Sequence, residues 1–338
     1  MAEISNVLLV GSGAVGTMGA YNLESGGLAS VTAVLRSNYA AVSSNGFNIT
    51  SMDHASRADP SVRNTIPDVV KENLKPFDFI FVATKNIADV HPTVSEIIAP
   101  AVTPGHTTVA LIQNGLNIEK PLIAAFPNNT ILSGVALIGA TETQPGSILH
   151  DDHDHLIIGP FDNPNIPLAV QLAAAKKFVE IYSASGKVDC ELNENVGFVR
   201  WRKLLYNACY NSACTITRMD TTRMRIVKQP IDDLVRPLML EICDISKAAG
   251  YQMPDGIVET MINVDPWSFF KPSMQQDIEK GNFIEFENIV GEPLREAEKL
   301  GVPAPTLKVV YGILKTLQWT TKENKGLVTL PQLPLTGA

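Results

Sequence analysis

Two rhythms of apolar and polar positions divide the chain. In the first half, short, mostly apolar segments recur at residues 7–10, 30–35, 77–83, 107–112, 131–138 and 156–158. Segments of that length and apolar content suit strands of a sheet covered on both faces. A helix is expected over 17–24, and the set reads as a mostly parallel α/β sheet with room for an antiparallel edge. Around 183–195 the composition turns polar and the strand pattern stops. Helical patterning follows over 195–217, 232–249, 259–276, 283–300 and 306–320. Gly250 and Gly301 supply stop signals, and Pro303 and Pro305 precede the last segment. The expected architecture is a Rossmann-type α/β N-terminal domain over 1–188, an all-α C-terminal domain over 189–330, and a tail over 331–338.

One helical stretch stands apart. From Val199 to Asn211 there is neither Pro nor Gly. Lys203, Asn207 and Asn211 recur every four residues and form one polar stripe that drifts by about 40° per step. Phe198, Trp201, Leu205 and Ala208 line the opposite side, with Leu204, Tyr206 and Tyr210 flanking the stripe. A helix apolar nearly all round is normally buried, and an ammonium with two amides inside it needs partners. The stripe is solvated, or its amides are satisfied by neighbouring backbone, or it is a binding face.

The N-terminus offers a ligand. Val7-Leu8-Leu9-Val10 runs straight into Gly11-Ser12-Gly13-Ala14-Val15-Gly16. In a strand–turn–helix context these glycines allow a tight turn and close approach to a pyrophosphate, which the helix N-terminus then holds. The plainer reading is a tight βα turn. Where an NAD-binding chain would place Asp or Glu after the second strand, this one has Arg36-Ser37. A guanidinium pairs with a 2′-phosphate, so NADP(H) is favoured over NAD, unless Arg36 is simply a surface arginine. Lys85 and then Gln113-Asn114-Gly115 follow two further strands, at the end of an open α/β sheet that faces the ligand. Asn-Gly is also a common turn pair.

Composition narrows the partners. With 338 residues and 45% hydrophobic content there is ample material for two domains. A net charge of −8 argues against nucleic acid or an anionic membrane surface, and no apolar run is long enough to span a bilayer. Met1-Ala2-Glu3-Ile4-Ser5 lacks the basic start of a signal peptide. Cys190, Cys209, Cys214 and Cys243 show no metal-like spacing and read as reduced thiols, so a cytoplasmic protein is expected. His150-Asp151-Asp152-His153-Asp154-His155 is rich in ligand types, but neighbours on an extended segment point to opposite faces. It reads as a solvated hairpin, with no metal expected. Met219, Met224 and Met239 read as core.

Together these residues resemble the ketopantoate reductase (2-dehydropantoate 2-reductase) family over nearly the whole chain. The resemblance rests on the glycine turn, Arg36, Lys85, Gln113-Asn114-Gly115, and Trp201-Arg202-Lys203 with Asn207 and Asn211. It continues through Pro272-Ser273-Met274-Gln275-Gln276-Asp277, Glu285 and Gly301-Val302-Pro303-Ala304-Pro305-Thr306. It implies NADPH-dependent reduction of 2-ketopantoate to pantoate on the route to pantothenate and coenzyme A. Lys203 would be the general acid and Glu285 the carboxylate orienting substrate and lysine. Asn207, Asn211 and Ser273 would hold the substrate, and Asn114 would stand at the junction of nicotinamide and substrate. Gly11, Ser12, Gly13, Ala14, Val15, Gly16, Arg36 and Lys85 would hold the cofactor. Taken alone, Glu285 reads as an exposed helix residue and Ser273 as a helix N-cap.

The implied chemistry is coherent. Hydride addition to a ketone raises an alkoxide, and a charged lysine beside it both stabilises that charge and supplies the proton. Amides one and two turns further on, about 6 and 12 Å along the axis, can line a small polar substrate. Two departures bear on specificity. Arg218-Met219-Asp220-Thr221-Thr222 stands where the family often carries an Asn, and Val290-Gly291 where an Asn usually precedes the Gly. The alternatives are a paralogous reductase of another ketone or imine, and a non-catalytic NADP-binding protein. The partner expected is a small 2-oxo acid, with a homodimer left open.

Overall fold

The computed structural model describes residues 3–54, 57–58 and 60–331. Met1-Ala2 and all of the expected tail beyond residue 331 lie outside these described residues. The chain forms two compact units, Met1–Arg200 and Trp201–Ala338.

The first unit is built on a sheet of ten strands: β1 Ser5–Val10, β2 Ala29–Val34, β3 Phe47–Ser51, β4 Arg57–Ala58, β5 Ser61–Arg63, β6 Phe79–Val82, β7 Thr108–Leu111, β8 Ile131–Gln144, β9 Ser147–Pro160 and β10 Asp189–Leu192. Their order is β4-β3-β9-β8-β7-β6-β1-β2-β5, with β10 also on β9. From β8 to β5 every pairing is parallel. The edge strand β4 pairs antiparallel with β3, as expected, and a second antiparallel step lies inside the sheet, where β8 and β9 form a long hairpin. β9 is shared along its length: Ser147–His150 pair with β3 and His155–Ile158 with β10. The sequence pattern shows only the two continuously apolar ends of this hairpin. Its remaining residues alternate, and β10 alternates too, so neither reads as a buried strand.

Register decides which strand ends lie together. Val10 is level with Val34 and Val82, and Val82 with Leu111. The segments that follow, beginning at Gly11, Leu35, Ala83 and Ile112, therefore leave the sheet side by side. Ala14–Ser25 and Leu168–Tyr182 cover one face, with the Phe178 ring centred 5.5 Å from Phe79 and 5.9 Å from Phe81. Val94–Ile98 and Lys120–Ala125 cover the other.

The acidic histidine segment is part of β9, and the solvated-hairpin reading holds only for one of its faces. Asp151 and Asp152 are exposed, whereas His150 and Asp154 are buried. Strand alternation sets Asp151 opposite His150 and Asp154, whereas Asp152 is exposed where the β8–β9 register shifts at Gly139. Asp154 accepts from Asn22 Nδ2 at 2.6 Å and the Tyr182 hydroxyl at 2.8 Å, and His150 Nδ1 meets Ser51 Oγ at 2.8 Å. Among the described residues no three His, Cys, Asp or Glu side chains gather as a metal-binding group.

The second unit is helical, and the helix Val196–Tyr206 runs across the division. The segment expected to be one helix over 259–276 is two, Ile257–Ile262 and Ser273–Glu279. Pro266 and Pro272 lie between them, and a residue without an N–H, which also restricts its predecessor, breaks the pattern. Three wide π turns interrupt the helices, at Asn207–Asn211, Ile231–Val235 and Glu287–Gly291. Two have a local cause: the rings of Pro237 and Pro293 would clash with carbonyls four residues back, inside those turns. No proline follows Asn207–Asn211 in that way. Met224 and Met239 are fully buried core residues. No helix among the described residues is long and apolar enough to cross a membrane.

Candidate active site

In the first unit the glycine turn is shaped by its neighbours. Gly11 has φ +103°, and a Cβ there would lie 2.4 Å from the backbone N of Thr84. A Cβ on Gly16 would lie 1.9 Å from the Gly11 carbonyl oxygen. Gly13, by contrast, has nothing within 4 Å of that position. It is the N-cap of Ala14–Ser25 and offers no side chain to the first N–H groups. That open, donor-rich end of a helix has the geometry of an anion site. Asn38 secures the turn by donating to the Ser12 carbonyl at 2.9 Å and to Glu142 Oε1 at 3.0 Å.

Arg36 follows β2 and is exposed. Among the described residues no carboxylate pairs with its guanidinium. Lys85 is exposed beyond β6, and Asn114 is half-buried beyond β7. Gln113 ties these two strand ends together, its Nε2 donating to the Thr84 carbonyl at 2.7 Å and to Thr84 Oγ1 at 3.0 Å.

One residue that sequence reasoning missed holds the same turn. Arg200, 5% exposed, donates from Nη1 to the carbonyls of Gln113 at 3.0 Å and Gly115 at 2.9 Å. Its Nη2 donates to the Gly134 carbonyl at 3.0 Å and its Nε to Ser133 Oγ at 2.6 Å. Glu119, fully buried, brings Oε1 to 2.7 Å from Nε and balances the charge. The available signal was a charged pair, Arg200 and Glu119, each set in a segment otherwise patterned for burial.

In the second unit the polar stripe is enclosed rather than solvated. Lys203 is half-buried, Asn207 is 7% exposed and Asn211 is 2% exposed. The Asn207–Asn211 turn is π-helical, a form found disproportionately at functional sites. Asn211 Nδ2 stands 3.5 Å from Asn207 Oδ1 and 3.5 Å from Ser273 Oγ. Its own Oδ1 is buried and has no hydrogen-bond partner among the described residues, an acceptor left for another group. Ser273 is not an N-cap: Pro272 takes that place, and Ser273 opens the short helix. Glu285 is neither exposed nor helical. It is 5% exposed and lies just ahead of the Glu287–Gly291 turn, which packs against Asn207–Asn211.

The departing segment Asp220–Arg225 has a visible task. Asp220 caps the helix Thr221–Val227, accepting from Arg223 N at 2.8 Å and from the Arg223 guanidinium. Although burial opposes its charge, these Arg223 donors hold the Asp220 carboxyl below the usual range. Thr221 N donates to the Phe270 carbonyl at 3.1 Å, and Phe269 N donates to Thr222 Oγ1 at 3.0 Å. Arg225 donates to the carbonyls of Asp265 and Pro266 at 2.8 and 3.0 Å. Tyr206, beside Asn207, donates to Asp265 Oδ2 at 2.6 Å. The irregular stretch leading to Ser273 is thus clamped along its length.

Comparison with known proteins bears on the family and the fold. Residues 7–163 match the ketopantoate reductase PanE/ApbA family, and residues 195–318 match its C-terminal part. The chain is 35% identical to the uncharacterized protein YDL144C of Saccharomyces cerevisiae, covering 96% of this chain and 97% of that one. It is 26% identical to a 2-dehydropantoate 2-reductase of Nostoc, covering 91% and 94% of the two chains. The crystal structure of 2-dehydropantoate 2-reductase from Methylococcus capsulatus superposes with a TM-score of 0.77 at 28% identity, covering 94% of this chain and 97% of that one. The mostly parallel sheet, the helical second half and these matches lead to one conclusion: the chain belongs to the ketopantoate reductase family.

Proposed function

We propose that the protein is an NADPH-dependent reductase of a 2-oxo acid, with 2-dehydropantoate the leading substrate, acting in the cytoplasm. The observation that carries this reading is the enclosed face of Lys203, Asn207 and Asn211, with the unpartnered Asn211 Oδ1 set against Ser273. Gly11 to Gly16 take the pyrophosphate at the helix N-terminus, and Arg36 pairs with the 2′-phosphate. Lys85 lies along the cofactor, which supplies the hydride when bound. Asn114 orients substrate and nicotinamide. Lys203 donates to the carbonyl oxygen and gives up its proton as the alkoxide forms, while Glu285 orients the lysine and the substrate. Asn207, Asn211 and Ser273 fix the remaining oxygens of the acid.

A different 2-oxo acid is the second reading, favoured by the clamp that Asp220–Arg225 places on the 265–270 stretch. The test is NADPH oxidation by the purified protein with 2-dehydropantoate, beside 2-oxo acids of increasing side-chain size. Turnover of 2-dehydropantoate with the highest kcat/KM supports the first reading. A larger acid ahead of it supports the second, and no turnover with any acid overturns both.

A further inference from the structure

Arg200 spends most of its donors on main-chain carbonyls, and two of them bracket a single residue. Nη1 reaches the carbonyls of Gln113 and Gly115, on either side of Asn114. A planar fork can hold two carbonyls from one nitrogen while its other nitrogens are anchored, and here Ser133, Gly134 and Glu119 provide that anchor. The turn is held from its other side by Gln113 Nε2 on Thr84, whose backbone N would lie 2.4 Å from a Cβ on Gly11. Gly115 adopts φ +101°, so the backbone at the turn takes a form that a side chain would resist. One rigid series of contacts therefore runs from the glycine turn through Thr84 and Gln113 to Asn114, and Arg200 closes it.

We propose that Arg200 is a positioning residue that holds the Gln113–Gly115 turn and thereby sets the Asn114 side chain for the reaction. The proposal rests on the assignment of Asn114 to the junction of nicotinamide and substrate. Arg200 touches no reacting atom; it acts through Asn114. Its guanidinium cannot be replaced by an ammonium, which is a point charge and cannot fork to the same set of carbonyls.

The test is a double-mutant cycle of Arg200→Lys with Asn114→Ala, measuring kcat, KM and NADPH affinity, with hydrogen exchange across residues 112–117. Arg200→Lys keeps the charge opposite Glu119, and a second variant, Arg200→Met with Glu119→Met, removes both charges together. Arg200→Lys is expected to lower kcat by about 10–100-fold, the scale of a small misplacement of a catalytic group. NADPH affinity should change by less than about threefold, and exchange should rise at the turn and not elsewhere. In the Asn114→Ala background the same substitution should add little, because coupled residues are not additive. Full additivity of the two substitutions, or wild-type kcat in Arg200→Lys or in the paired Met variant, overturns the proposal. The exchange arm needs no substrate: unchanged protection at 112–117 in Arg200→Lys overturns it even if no 2-oxo acid is turned over.

Discussion

The guanidinium carbon of Arg225 lies 4.5 Å from the centre of the Trp267 ring, while its nitrogens donate to the carbonyls of Asp265 and Pro266. One side chain thus holds the start of an irregular stretch that Tyr206, Thr221 and Thr222 also tether. Hydrogen bonds to a charged donor contribute about 1.5–3 kcal/mol each, so Arg225→Ala should cost at least about 1.5 kcal/mol of stability. Urea unfolding checks this, and an unchanged midpoint with unchanged slope contradicts it.

The glycine turn separates folding from binding. A Cβ at Gly13 meets nothing within 4 Å in the free protein, and its φ of −75° suits any residue. Gly13→Ala should therefore cost no more than about 1 kcal/mol of unfolding free energy, the scale of an N-cap change. NADPH affinity should nonetheless fall by about tenfold or more, because the pyrophosphate needs that space. Gly16→Ala, whose Cβ would lie 1.9 Å from the Gly11 carbonyl oxygen, should lose both. Equal NADPH affinity in Gly13→Ala and wild type would remove the pyrophosphate from this turn.

Much of this was legible in the sequence because the relevant signals are local. The strand running into Gly11-Ser12-Gly13-Ala14-Val15-Gly16 and the four-residue spacing of Lys203, Asn207 and Asn211 each lie within one element. What escaped depends on distant pairings. Arg200 finds Glu119 and Ser133 only after β7 and β8 are laid side by side. Glu285 reads as an exposed helix residue because Phe283 to Leu300 is periodic, yet the helix begins after it and the side chain is buried. The clamp on 265–270 was visible only as a departure from a pattern at Asp220-Thr221-Thr222, with no sign of what those residues touch.

Coenzyme preference follows from Arg36. NADPH should bind more tightly than NADH, and Arg36→Ala should erode the difference by about 1.5–3 kcal/mol, the range for hydrogen bonds to charged groups. Titration of both coenzymes by fluorescence measures it. Equal affinities in the wild-type protein would contradict the role assigned to Arg36.

Burial raises the Asp154 carboxyl above its ordinary range, outweighing the Tyr182 hydroxyl, the His150 charge and the Asn22 amide, which favour ionisation. A raised folded-state pKa means that the native protein binds this proton more tightly than the unfolded chain. The resulting stability is fully present below the unfolded value of about 3.9 and is lost as pH rises through the folded one. Asp154→Asn keeps an acceptor for Tyr182 and cannot ionise. Its stability relative to wild type should therefore increase from pH 4 towards neutrality, as read from Tm. A difference that is flat or shrinks over that window contradicts the assignment.

The general-acid role of Lys203 is tested most directly by Lys203→Ala and Lys203→Arg, each measured for kcat, KM and NADPH affinity. Lys203→Ala should lower kcat by on the order of 10²–10⁴, the usual share of general acid catalysis. The same factor should appear in kcat/KM, the sign of an interaction made only in the transition state. NADPH affinity should barely move, since Gly11 to Gly16 and Arg36 belong to the other unit. Lys203→Arg keeps the charge on a fork that hardly releases its proton, so it should also be slow. Full activity in Lys203→Arg, or a loss in Lys203→Ala confined to KM, would contradict the account and leave Lys203 an anchor for the substrate carboxylate.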